Sequence, residues 1–107
     1  MNNTKTASAV AEALPFESFA HRWGDEVYFE IPLELKIEDG KEILEIGDIA
    51  YWPPGKSLCI FFGPTPSCRG NEVRAYSPVT VFGKIIGDAR IFRAVKEGEK
   101  IRVKIAD

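Results

Sequence analysis

A stretch of alternating apolar and polar side chains constrains the fold more than any other feature of the sequence. Its apolar members are Val27, Phe29, Ile31, Leu33, Leu35 and Ile37. Successive side chains of a strand point to opposite faces, so the pattern predicts extended chain with one dry and one wet face. Pro32 cannot donate to a strand ladder and is expected at an edge or a bend. The glutamates at the polar positions are interpreted as the wet face of the strand, the alternative being paired carboxylates for acid–base chemistry. They are Glu26, Glu30, Glu34 and Glu38.

Further short apolar runs are separated by turn signals. A second strand is predicted over 43–52, where Pro53-Pro54-Gly55 ends it. The run 58–62 is apolar at every position, which predicts a strand covered on both faces. Two strands at 73–76 and 79–86 are separated by Ser77-Pro78, and a last strand alternates over 101–106. Many short strands with turns between them predict a mainly β protein, an antiparallel barrel or sandwich.

Two helices are predicted at opposite ends of the chain. The first carries an apolar stripe at helical spacing and ends before Pro15, because the residue before a proline resists the helical conformation. Asn3 or Thr4 is expected to cap it. A short late helix begins at Asp88 and ends near Gly98. The members of the first stripe are Ala7, Val10, Ala11 and Leu14.

Length and charge narrow the class of protein. The 107 residues suit one domain over 1–107, and the net charge of −2 offers no basic surplus for nucleic acid. No run approaches the roughly 18 apolar residues of a membrane span, and the first residues lack the apolar stretch of a signal peptide. We therefore expect a cytoplasmic protein that binds neither nucleic acid nor membrane.

Metal and cofactor chemistry is not predicted. His21 is the only histidine, and with Cys59 and Cys68 it gives no usable zinc spacing. Cys59 is interpreted as a buried small hydrophobe, with a Cys59–Cys68 disulfide as the less expected alternative. Asp48 is interpreted as accepting hydrogen bonds from a turn, the alternative being a buried carboxylate with a raised pKa. No glycine-rich loop is present that could cradle a phosphate.

Three motifs carry a resemblance to a known family. They are Trp-Gly-Asp-Glu-Val-Tyr-Phe at 23–29, Gly-Asp-Ile-Ala-Tyr-Trp-Pro-Pro-Gly at 47–55 and Phe-Phe-Gly-x-Thr-Pro at 61–66. Together they resemble a small prokaryotic cyclophilin-like family, and Val-Phe-Gly-Lys-Ile-Ile at 81–86 resembles a late strand of cyclophilins themselves. The resemblance implies a cyclophilin-like antiparallel β-barrel with one N-terminal helix and a short late helix. It implies no assigned activity.

The chain departs from the resembled family at its start. Members usually begin with a strand pair ahead of the first helix, whereas this sequence starts at the helix. Either the start is truncated or a neighbouring subunit supplies the strand. Because an unpaired strand edge invites pairing, we expect a homo-oligomer or a partly open barrel.

The leading hypothesis for function is noncovalent binding of a small molecule or short peptide in a cleft beside the barrel. The aromatic candidates would supply contact area, while Arg22 and Thr65 would orient polar groups. The structural alternatives are that Trp52 plugs the end of the barrel and that Arg22 is a solvated loop residue. The candidate ligand-binding residues are Arg22, Tyr51, Trp52, Phe61, Phe62, Thr65 and Tyr76.

Two other functions stay open. The cyclophilin resemblance implies a weak peptidyl-prolyl isomerase in which Arg22 weakens the prolyl amide bond and Phe61 or Phe62 floors the proline pocket. The barrier to be lowered is ~18–20 kcal/mol. The segment before Val81 lacks the tryptophan and histidine that line the cyclophilin pocket, so efficient catalysis is not expected. The third hypothesis is a structural or regulatory subunit that pairs through an open sheet edge.

Overall fold

The computed structural model describes residues 5–63, 65 and 73–104. These residues form one α-helix, eight strands and two short 3-10 helices. The mainly β composition, the N-terminal helix and the short late helix are confirmed. The elements in chain order are α1 (Lys5–Ala13), β1 (Phe16–Phe19), β2 (His21–Arg22), β3 (Glu26–Glu30), β4 (Lys41–Leu44), β5 (Asp48–Trp52), a 3-10 helix (Pro53–Gly55), β6 (Ser57–Phe61), β7 (Val73–Lys84), the late 3-10 helix (Ala89–Ala94) and β8 (Lys100–Val103).

The strands form two antiparallel sheets. Six of them pair in the order β2-β3-β6-β5-β7-β4, and β1 pairs only with β8. Between these described strands the ladder does not close, so the predicted barrel is not confirmed. The sheet stays open because its two edge strands, β2 and β4, do not pair with each other. Strand β2 has only His21 and Arg22 for pairing, and β4 lies at the opposite end of the sheet order.

Each face of the six-stranded sheet carries an apolar cluster. The larger cluster packs α1 against one face, through Ala7 and Val10 on the helix and Phe29 and Phe82 on the strands. The smaller cluster lies on the opposite face and contains Leu44, Ala50, Cys59, Phe61, Val73, Ala75 and Val79. Strand β6 is buried at every position because it lies between β3 and β5 and is covered on both sides, as predicted.

The predicted long strand over 27–38 is wrong beyond residue 30. Strand β3 ends at Glu30, and Pro32 follows directly, so the expected bend is found. The irregular segment 31–40 is held by side chains instead of a ladder. The Tyr51 hydroxyl donates to the Leu33 carbonyl at 2.9 Å and accepts from the Leu35 N–H at 3.1 Å. Alternation alone cannot distinguish this arrangement from a strand, because Ile31 is buried and Leu33 and Leu35 are half-buried at alternate positions.

The predicted strand over 43–52 is divided into β4 and β5. A turn at 45–47 separates them, with Gly47 at a positive φ of 96°. The Asp48 carboxylate accepts a hydrogen bond from the Glu45 N–H at 2.8 Å, so its interpretation as a turn acceptor is confirmed. Conversely, Ser77-Pro78 does not interrupt the next strand, because β7 runs through it and shifts register against β4 instead.

Glu38 does not lie on a wet strand face. Its carboxylate accepts from the backbone N–H groups of Lys5 at 3.3 Å and Thr6 at 3.2 Å, at the start of α1. The predicted caps, Asn3 and Thr4, lie outside the described residues. Burial opposes the ionised form of Glu38, but the hydrogen bonds from Thr6 and Lys5 outweigh it and lower its pKa from the ordinary value.

Tyr51→Phe is expected to destabilise the protein by about 1–3 kcal/mol, because two backbone groups of the partly buried segment 31–40 lose their partner. The measurement is urea unfolding. Tyr76→Phe is the matched control, since Tyr76 is 72% exposed and its hydroxyl has access to water. Equal stability of Tyr51→Phe and the wild type would contradict this role for the hydroxyl.

Candidate functional site

A pocket of about 190 Å³ opens on the sheet face that carries the smaller cluster. Ligand pockets for drug-sized molecules are usually about 300–1,000 Å³. This pocket therefore suits a head group or a single side chain. We call it the aromatic pocket, and it is lined by Trp23, Glu26, Tyr28, Trp52, Phe61, Ala75, Tyr76 and Val79.

Five aromatic rings line the aromatic pocket, and four of them stand edge to face with one another as its walls. Tyr28 meets Trp52 with ring centroids 6.3 Å apart and planes at 73°. Tyr76 meets Trp52 at 6.3 Å and 89°, and meets Trp23 at 6.0 Å and 83°. Such edge-to-face pairs are favourable arrangements of aromatic rings. Because consecutive rings are nearly perpendicular, they form adjoining walls and not a stack.

The local sequence fixes the Trp52 ring from two sides. Its indole N–H donates to the Ser77 hydroxyl at 2.7 Å. On the other side, a Cβ at Gly55 would lie 2.5 Å from ring atom Cζ3, so only glycine leaves room for the ring in this position. The Pro-Pro-Gly turn thus both ends β5 and seats the wall of the pocket.

Among the described residues that line the aromatic pocket, Glu26 is the only charged one. It is 6% exposed, pairs with Phe61 across the β3–β6 ladder, and shares the face of β3 that carries Tyr28. Burial raises the pKa of Glu26 to about 7, and a hydrogen bond with the Cys59 thiol partly offsets this effect. A carboxyl group that titrates near neutral pH inside a pocket is a feature that functional sites often show.

Cys59 lies behind Glu26 on β6. It is a free, fully buried thiol, and burial followed by the charge of Glu26 raises its pKa well above the ordinary value. The interpretation of Cys59 as a buried hydrophobe is confirmed, while Cys68 lies outside the described residues. A thiol with a raised pKa is a poor nucleophile, so Cys59 serves here as a weak hydrogen-bond partner.

Three of the seven predicted site residues line the aromatic pocket, namely Trp52, Phe61 and Tyr76. The other four lie elsewhere. Tyr51 is fully buried and bonds to the segment 31–40, and the Thr65 hydroxyl donates to the Arg74 carbonyl. Phe62 is buried in the larger cluster on the opposite face, beneath Arg22.

Arg22 links three segments of the protein. Its guanidinium donates to the carbonyls of Gly24 at 3.0 Å, Val95 at 2.8 Å and Arg93 at 3.3 Å. It lies 5.0 Å from the centroid of the Phe62 ring and 3.7 Å from the Asp25 carboxylate. These contacts engage its N–H groups within the protein, so Arg22 is neither a solvated loop residue nor a donor directed at the aromatic pocket.

Sequence reasoning did not select five of the pocket residues. Assigning Glu26 to the wet face was wrong, because Glu26 is buried and lies in a pocket that Trp23 and three residues of β7 also line. The available signal was the spacing Trp23-x-x-Glu26-x-Tyr28, which places a carboxylate and a phenol on one strand face. The residues not selected are Trp23, Glu26, Tyr28, Ala75 and Val79.

Metal-binding geometry is not found in the described part of the chain. No group of three or more histidine, cysteine, aspartate or glutamate side chains lies close enough together there to hold a metal ion. Across residues 5–63, 65 and 73–104, no helix is long and apolar enough to cross a membrane.

Comparison with known proteins agrees with the fold. Residues 1–104 match the family described as Cyclophilin-like. The solution structure of the hypothetical protein AF2241 from Archaeoglobus fulgidus is similar, with 41% identity and a TM-score of 0.78 over 95% of this chain and 78% of that chain. No protein of curated function matches significantly. The matched residues and the shared fold show that this chain belongs to the Cyclophilin-like family.

Proposed function

We propose that this protein binds a small molecule, or one side chain of a short peptide, noncovalently in the aromatic pocket. The observation that supports this most directly is the convergence of four aromatic walls on one buried carboxyl group. Pockets that are mostly apolar with a few placed polar groups are the usual form of ligand sites. The proposal makes no use of covalent chemistry.

Tyr76 adds a second argument for a ligand. Its side chain is 72% exposed, although it stands against the rings of Trp23 and Trp52. A large aromatic side chain that remains in water beside a concavity is available for contact with a bound group. A ring that merely plugged the sheet would be covered, as Phe61 is.

Both tryptophans of the chain line the aromatic pocket, so their indole signals report on it selectively. The test is an NMR titration of the full chain with a panel of neutral, cationic and anionic fragments, observing the two indole N–H resonances. We expect saturable shifts with at least one fragment. Tyr76→Ala should weaken that binding, and Ile91→Ala, at a similarly exposed apolar position outside the pocket, should not. No shift with any fragment would refute the proposal.

The geometry gives less support to a weak prolyl isomerase. Arg22 and Phe61 lie on different sides of the sheet, so the predicted donor cannot serve a substrate on the Phe61 floor. Phe62 does lie beneath Arg22, but it is fully buried and offers no open floor. Exchange spectroscopy of a short Ala-Pro peptide would overturn this assessment if the protein accelerated cis–trans exchange.

Association through a sheet edge is a second candidate function. Strand β4 is an edge of the six-stranded ladder among the described residues, and Ile43 and Ile46 beside it are 55% and 54% exposed. Exposed apolar side chains on an open edge favour pairing with another copy. Sedimentation velocity is the test: a dimer that Ile43→Lys dissociates would support this function, and a monomer at all concentrations would contradict it.

We also propose that residues 1–107 act as one domain in the cytoplasm. The free Cys59 thiol fits a reducing compartment. A single cooperative unfolding transition and recovery in the cytosolic fraction would support this, and recovery with membranes or outside the cell would contradict it.

A further inference from the structure

Resting on the proposed function, we infer that the group held in the aromatic pocket is a cation, an ammonium or methylated ammonium centre enclosed by the aromatic rings and paired with the Glu26 carboxylate. This assigns the chemical class of the ligand. The arguments come from the orientation of the rings, the charges around the pocket and its size.

The rings have the arrangement that a cation requires. The face of an aromatic ring carries negative potential, which attracts an ammonium group placed over it, most strongly at tryptophan. Because Trp52 and Tyr76 are nearly perpendicular, as are Tyr76 and Trp23, rings of different orientation border the same space. A flat neutral ligand would instead favour parallel walls between which it could stack.

The charges around the pocket select against anions. None of the described lining residues is basic, and Glu26 is the only charged residue among them. Buried carboxylates normally pair with arginine or lysine. Among the described residues Glu26 has no such ion pair and bonds only to the weak Cys59 donor. A bound cation would supply the missing counter-charge, whereas an anion would be repelled by the ionised group.

The volume fits the head of a ligand and not its whole length. About 190 Å³ equals the liquid volume of about six water molecules at ~30 Å³ each. The remainder of the ligand would extend past the exposed Tyr76 ring into solvent. A free quaternary ammonium compound such as choline and the side chain of a lysine or methylated lysine share this chemistry.

Binding of a cation should depend on pH through Glu26. The pKa of its carboxyl is about 7, so the group is largely protonated at pH 5 and largely ionised at pH 8. Among the described residues, the other titratable groups that line the pocket or contact Glu26 are the Cys59 thiol, the Tyr28 phenol and the Tyr76 phenol. Thiols and phenols ordinarily titrate well above pH 7. We therefore expect the affinity for a cation to fall as the pH is lowered from 8 to 5, approaching about tenfold per unit.

The experiment compares choline with its neutral carbon isostere, 3,3-dimethylbutan-1-ol, by titration of the full chain at pH 8 with the indole N–H signals as readout. Choline should bind about tenfold more tightly or better. Glu26→Gln should reduce that preference and abolish the pH dependence. Glu30→Gln should keep both, because Glu30 is on the same strand but exposed and outside the pocket.

Tyr76→Leu is the second variant, at an exposed position where folding tolerates change. It should weaken choline and leave the isostere unaffected. If the isostere binds as tightly as choline, the assignment of a cation is overturned while the proposed function stands. If Glu26→Gln keeps the full preference and the pH dependence, the pairing of the cation with Glu26 is overturned. If no fragment binds at all, both fail. A trimethyllysine peptide that competes with choline would identify a side chain as the source of the cation, and choline binding alone would identify a free quaternary ammonium compound.

Discussion

Glu26→Gln is expected to stabilise the protein by about 3 kcal/mol at pH 8 and to change its stability little at pH 4. The pKa of Glu26 is 4.5 in the unfolded chain and about 7 in the folded protein. Between these values the folded state holds a proton that the unfolded state has released, so stability falls as the pH rises. Each pH unit between the two pKa values lowers the free energy of unfolding by about 1.4 kcal/mol, and this loss of stability is complete above pH 7. Glutamine carries no charge, so Glu26→Gln avoids this loss of stability.

The measurement is urea unfolding of the wild type, Glu26→Gln and Glu30→Gln between pH 4 and pH 8. The difference between wild type and Glu26→Gln should grow through the window from 4.5 to 7. Glu38, Asp88 and Glu97 have lowered pKa values, so their contributions are lost only at acidic pH and cancel in the comparison. Parallel curves for wild type and Glu26→Gln would show that Glu26 is not desolvated in the folded protein.

A side chain that destabilises the fold at neutral pH calls for a reason other than folding. Leucine or glutamine at position 26 would fill the same place beneath the aromatic rings without the cost of burying a charge. Functional sites commonly retain groups that reduce stability, because the same desolvation gives them useful affinity or acidity. If Glu26→Gln raises stability and weakens cation binding, Glu26 lowers the stability of the fold and serves binding.

The fold could be predicted where a local rule agreed with the tertiary environment. Strand β6 contains most of the apolar run 58–62 and lies in the middle of the sheet, so the apolar run correctly indicated that the strand is buried. Pro-Pro-Gly ended β5 as predicted, because a proline pair cannot continue a strand ladder. The interruption predicted at Ser77-Pro78 failed, since Pro78 falls within the register shift between β7 and β4, where no paired N–H is required.

The candidate site depends on which strand faces meet, and a sequence does not state this. Tyr51 and Trp52 are neighbours in the chain, yet alternation sends Trp52 to the aromatic pocket and Tyr51 to the segment 31–40. Phe61 and Phe62 divide in the same way between the two clusters. The sequence also does not show that Glu26 shares a pocket with residues of β7, which lies far along the chain.

Phe62→Ala is expected to destabilise the protein by about 3–5 kcal/mol, the usual cost of emptying a fully buried phenylalanine site. The change removes packing against Phe92 and the surface over which the Arg22 guanidinium lies. The measurement is urea unfolding. Phe19→Ala is the control, because Phe19 is 59% exposed and surface changes usually stay within about 0.5 kcal/mol.

A smaller change at the same position, Phe62→Leu, separates a structural from a catalytic role for the Arg22–Phe62 pair. If the pair orders the protein, Phe62→Leu should lose stability in proportion to its smaller volume change and keep ligand binding in the aromatic pocket, which lies on the other face. A prolyl pocket floored by Phe62 requires the reverse, unchanged stability with weakened peptide binding. The carbonyls of Gly24, Arg93 and Val95 already occupy the Arg22 donors, and a substrate amide would have to displace them. Loss of stability without loss of binding would therefore show that Arg22 has a structural role, in which it holds the late helix against the sheet.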